Sequence, residues 1–177
     1  MQHKVIFAGF GGQGVMFAGK LVAQAAMMEG KQVAWLPSYG PEMRGGTANC
    51  HVTVSDASIG APFISHADSV VAMNGLAFDK FENTVVPNGR MIVNSTIVTR
   101  KVERSDINAV YIPVTDIALE EGSGTLANMV AVGQFVKQTN AVSLDSLIAA
   151  MRKIVPSSKA DLADLNEKMI RKGYEFA

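Results

Sequence analysis

Gly9, Gly11 and Gly14 satisfy the spacing G-x-G-x-x-G, with Gly12 and Gln13 between them. In that pattern the first glycine permits a tight turn and the second lets a ligand approach the backbone. The third lets helix and strand pack closely. A helix that starts on such a turn has free N–H groups, which favour a phosphate or carboxylate. Gln13 puts a side-chain amide at the mouth of the turn, where it either donates to a ligand or faces solvent. Gly11 is expected to hold a left-handed backbone or to touch a close neighbour. A nicotinamide dinucleotide would also need an acid about 20 residues further on, at the end of the next strand. That stretch reads Leu36-Pro37-Ser38-Tyr39, and the first acid is Glu42. The missing acid weakens the dinucleotide reading. An anion-binding turn and a ligand-free tight turn both remain open.

The second loop spans 38–46 (SYGPEMRGG) and runs into Thr47. Ser38, Tyr39, Arg44, Gly45, Gly46 and Thr47 are its candidates for a binding role. Arg44 is the one fixed cation in either loop. Its planar fork suits a carboxylate or phosphate, unless it pairs with Glu42 or Asp56 at the surface. Tyr39 offers an apolar face with a hydroxyl, and Gly45-Gly46 admit a close backbone or ligand. Cys50 and His51 are neighbours on an expected strand, so they point to opposite faces. That geometry speaks against a nucleophile–base pair and for structural roles. No G-x-S-x-G, paired-carboxylate site or metal motif occurs, and no catalytic residue is assigned.

Composition narrows the class. Of 177 residues, 48% are apolar and 18% charged, and the 16 basic residues balance the 16 acidic ones. This is a globular balance with nothing to draw nucleic acid or an anionic membrane. It also suits a protein that hides part of its surface against another chain. The single cysteine excludes an internal disulfide and cannot by itself ligate an iron–sulfur cluster or structural zinc. The N-terminal residues lack the pattern of a signal peptide, and no segment reaches the roughly 20 apolar residues of a membrane span. A cytoplasmic chain of one domain, 1–177, is expected.

The elements that must position these loops alternate along the chain. Strands are expected over 4–8, 32–36 (stopped by Pro37), 47–55, 69–73, 90–94 and 109–113, with a turn at 87–89. Helices are expected over 15–29 (closed by Gly30), 76–82, 116–121, 126–138, 144–154 (capped by Ser143) and 159–172 (ended by Gly173). The alternation predicts a Rossmann-like α/β fold: a mostly parallel sheet, helices on both faces and a helical C-terminal region. Both loops then leave the carboxyl ends of strands, the edge where such sheets bind ligands.

Taken together, GFGGQG, PSYGPEMRGGTANCHVTVSD and HADSVVAMN resemble the γ subunit of 2-oxoacid:ferredoxin oxidoreductases. The resemblance covers nearly the whole chain and is nearest to the short γ chains of the 2-oxoglutarate and branched-chain oxoacid enzymes. A related indolepyruvate oxidoreductase subunit and a stand-alone nucleotide- or anion-binding module are the alternatives. The resemblance implies oxidative decarboxylation of a 2-oxoacid to an acyl-coenzyme A with reduction of ferredoxin. It implies partners: α, β and ferredoxin-like δ subunits, and ferredoxin as electron acceptor. It implies a complex using thiamine diphosphate, magnesium, iron–sulfur clusters and coenzyme A, none of them bound by this chain alone. The loops 9–14 and 38–47 would face the active-site entrance and the approach of coenzyme A.

Overall fold

The computed structural model describes residues 1–41 and 46–177. Arg44 and Gly45 of the expected site lie outside the described residues, as does Glu42. Strands β1 (Gln2–Phe10), β2 (Gln32–Tyr39), β3 (Thr47–Ser55), β4 (Ala67–Ala72), β5 (Val85–Asn94) and β6 (Asn108–Ile112) form one sheet in the order β2-β3-β1-β4-β5-β6. The helices are α1 (Val15–Met28), α2 (Gly75–Phe81), α3 (Val114–Glu120), α4 (Ala127–Thr139), α5 (Leu144–Ile154) and α6 (Ala160–Glu175).

β1 is central because its middle is apolar on both faces. Val5, Ile6, Phe7 and Ala8 are all buried, as a strand covered from two sides requires. It pairs in parallel with β4, which continues in parallel to β5 and β6. β3 is the exception to the mostly parallel expectation. It runs antiparallel to both β1 and β2, as the return arm of a hairpin. β2 and β1 therefore point the same way, and the two loops share one edge of the sheet.

Three local expectations change. Pro37 does not stop β2, which continues to Tyr39. β2 is an edge strand, and there a missing N–H need not break a ladder. Pro87-Asn88-Gly89 lies within β5 as an irregularity, with Asn88 at φ 65 and its N–H donating to the Asp106 carbonyl at 2.7 Å. Gly173 lies inside α6 and does not end it. A methyl there would overlap the Val130 carbonyl, and one at Gly133 the Ile170 carbonyl. The two glycines let the backbones of α4 and α6 touch.

The two faces of the sheet carry separate cores. Val5, Phe7, Val52 and Ile92 meet α1 and α4, with Phe7 and Phe135 rings edge to face at 5.3 Å. Ile6, Ala8, Val70 and Met91 meet Phe78 and Phe81 of α2. Glu29, just beyond α1, ties that helix to the start of α5. Its carboxylate accepts the Ser143 N–H at 2.7 Å and pairs with Lys31 at 2.7 Å. Lys31 in turn donates to the Ala141 carbonyl at 2.9 Å.

Candidate functional site

The loop 9–14 is fixed from several sides before any ligand arrives. Gln13 is half-buried, and its side chain is held within the fold. Its Oε1 accepts the Phe10 N–H at 2.7 Å and the Asn74 amide at 3.0 Å, and its Nε2 donates to the Met73 carbonyl at 3.3 Å. The side chain pins the turn to the end of β4. A Cβ on Gly9 would sit 2.6 Å from that Oε1 and 3.0 Å from Met73 Cβ, so the first glycine is needed for this closure. Left-handed backbone falls on Gly12 (φ 95) and Gly14 (φ 73), and not on Gly11. Gly11 does meet a close neighbour: its N–H donates to the Gly46 carbonyl at 2.9 Å. This bond joins the two loops that sequence spacing placed on one edge.

Gly14 is the N-cap of α1 and offers no side-chain cap, and the first turn of the helix holds no acid. Its carbonyl accepts the Ala18 N–H and the Asn128 amide. Among the described residues no side chain caps the positive end of the helix. Beside it lies a cleft of about 290 Å³ lined by Gly11, Gly12, Gly14, Phe17, Tyr39 and Ala48, among others. Gly12 has open space around the position a Cβ would take. Tyr39 is 63% exposed at the wall of the cleft.

The structure thus brings Gly11, Gly12, Gly14 and Tyr39 together, with Gly46 behind them. It separates Ser38, which is paired with Asn49 on β3 and lines a cavity on the opposite face. Thr47 begins β3 opposite Phe10, and its carbonyl accepts the Gly40 N–H at 2.7 Å. Cys50 and His51 do face opposite ways. Cys50 donates to the Val15 carbonyl at 3.3 Å, and burial pushes its thiol up to about 12. His51 accepts the Ile64 N–H at 2.9 Å through Nδ1. Spacing alone did not single out Asn74 and Asn94. Both are buried, and Asn94 donates to Met73 O at 3.2 Å and to Thr115 Oγ1 at 3.0 Å, holding the β4 end of the same edge. Asparagine at the end of an apolar strand or just beyond it was the available signal.

The donor set tests the groups expected of the complex. An iron–sulfur cluster takes four thiolates or their equivalents, and one buried cysteine held protonated does not fit. No group of three metal-ligating side chains lies close together among the described residues. The phosphates of coenzyme A do suit the uncapped start of α1. No helix among the described residues is long and apolar enough to cross a membrane.

Comparison with known proteins agrees with this architecture. The pyruvate ferredoxin/flavodoxin oxidoreductase family profile matches residues 4–176, and the chain belongs to that family. It is 34% identical to the ketoisovalerate oxidoreductase subunit VorA of Methanothermobacter thermautotrophicus, over 98% of this chain and 36% of that protein. The chain therefore spans about a third of the length of that relative. It is 34% identical to the 2-oxoglutarate synthase subunit KorC of Methanocaldococcus jannaschii, over 100% of this chain and 95% of that protein. The γ subunit of a keto/oxoacid ferredoxin oxidoreductase from Geobacter sulfurreducens superimposes with a TM-score of 0.84 at 31% identity. That match covers 98% of this chain and 96% of that one.

Proposed function

We propose that the chain is a γ-type subunit, one domain over 1–177, of a multi-subunit 2-oxoacid:ferredoxin oxidoreductase. The complex would convert 2-oxoglutarate or a branched-chain 2-oxoacid to its acyl-coenzyme A and reduce ferredoxin. The γ-subunit likeness along both chains carries this reading. Thiamine diphosphate with magnesium and the iron–sulfur clusters would belong to α, β and ferredoxin-like δ partners, in keeping with the donor set of this chain. Its own contribution would be the α1 cleft. The N–H groups there would take an anionic group of coenzyme A, Gly12 would let it approach the backbone, and Tyr39 would cover it. Arg44 and Gly45 belong to the same proposal through the loop they share with Gly46.

The test is co-expression with α, β and δ chains. Oxoacid- and coenzyme A-dependent reduction of ferredoxin should require this chain, and a complex fully active without it would refute the assignment. Gly12→Asp places a negative charge at the helix start in open space. It should raise KM for coenzyme A by about tenfold or more, leaving KM for the oxoacid unchanged. An unaltered KM for coenzyme A would remove the cleft from the proposal.

A further inference from the structure

On the face of the sheet opposite α1, helix α2 covers β1, β4 and β5, and β2 and β3 extend beyond it. Over them lies a cavity of about 670 Å³, within the range of small-molecule sites. Leu36, Phe63 and Phe81 supply apolar walls; Asn49, His51 and Lys80 supply polar groups.

Asn49 and His51 reach this cavity from inside the fold, being 6% and 5% exposed. Because His51 Nδ1 accepts the Ile64 N–H, its proton sits on Nε2. Burial, then the charge of Lys80, holds His51 below its ordinary pKa, so the ring is neutral near pH 7. No hydrogen bond of this Nε2–H or of the Asn49 side chain is formed among the described residues, and neither is among the fully enclosed polar atoms that lack a partner. Both therefore open onto the cavity, where a ligand or water meets them. Lys80 adds an ammonium, 5.3 Å from the Phe81 ring, and no carboxylate lines the cavity among the described residues. The Phe63 ring rests 5.1 Å from the His51 ring and is still 66% exposed. Its outer face is open to a flat apolar group.

We propose that this cavity binds a small monocarboxylate with a flat apolar body. Lys80 and Asn49 take the carboxylate, and Leu36, Phe63 and Phe81 enclose the body, with His51 Nε2–H as a further donor. The site lies across the sheet from the α1 cleft and stands independently of the subunit assignment.

Isothermal titration of the full chain with phenylacetate and with its neutral counterpart 2-phenylethanol tests this. Phenylacetate should bind one to one. Lys80→Gln should weaken it by about tenfold or more, with 2-phenylethanol unchanged, and Phe63→Ala should weaken both. Lys80 and Phe63 are exposed, so both variants should retain the fold, which circular dichroism and melting check. In NMR spectra phenylacetate should move the ring signals of His51 and leave those of His3 and His66 in place. The proposal fails if phenylacetate does not bind at millimolar concentration, or binds equally to both variants. It also fails if the free chain binds neither compound and both variants lose assembly with partner subunits. In that case the groove seats a partner's segment.

Discussion

The two faces of the sheet are built from the same strands and end differently. On the α1 side, β3 presents Ala48, Cys50, Val52 and Val54, all buried under helices. On the α2 side the same strand presents Asn49, His51, Thr53 and Ser55, also buried. One face is closed by apolar contact. The other holds a polar row at the same depth and an open cavity beside it. Burial alone does not distinguish a face that only holds the fold from one that offers donors. The identity of the alternate residues does.

The largest effect should come from the closed face. Gly173→Ala forces a methyl into the Val130 carbonyl, where neither backbone can yield cheaply. It should cost about 3 kcal/mol or more in chemical denaturation. A loss under about 1 kcal/mol would show that α4 and α6 can separate and that the face is less rigidly closed than described. Glu29→Gln tests the α1–α5 tie on the same face. Burial raises the Glu29 carboxyl, but hydrogen bonds from Lys31, Ser143 and Ser146 outweigh it and hold it at about 2. The unfolded value is about 4.3. The folded pKa is the lower one, so this stabilisation is present above the unfolded value and is lost as pH falls from about 4.3 toward about 2. The variant should be less stable by about 1–2 kcal/mol at neutral pH. That difference should vanish near pH 2.

At the shared edge, Gly12→Ala meets no neighbour and bears only the strain of φ 95. About 1 kcal/mol of lost stability is expected by thermal or urea melting. On the open face, Phe63→Ala should change stability by less than about 0.5 kcal/mol, although it should weaken the proposed ligand. A large loss there would mean that Phe63 anchors the 56–66 segment, making the open face structural as well.

Local pattern was enough for the glycine turn, the mostly parallel α/β order and α5, whose span and Ser143 cap coincide with the sequence reading. It was not enough for the direction of β3, because alternation has the same period whichever way a strand runs. Pro37 reads as a stop unless β2 is known to be an edge. Gly173 reads as a helix end because its reason lies on another helix, at Val130. Gln13 was visible as a polar group at the turn, but its partners Asn74 and Met73 come from a distant strand end. The groups at the cavity were hidden for the same reason. His51 and Lys80 are far apart in sequence and meet only through the crossover that brings α2 beside the hairpin.

The glycine contact between α4 and α6 also says how this protein moves. Two helices whose backbones touch have no layer of side chains between them to deform, so neither can shift or fray alone. Their amides should exchange with solvent in one opening event, with equal protection at Val130 and Ile170. For slow motions the helical face is then a single plate, and displacement between elements is left to the side of the sheet where no helix lies over β2 and β3.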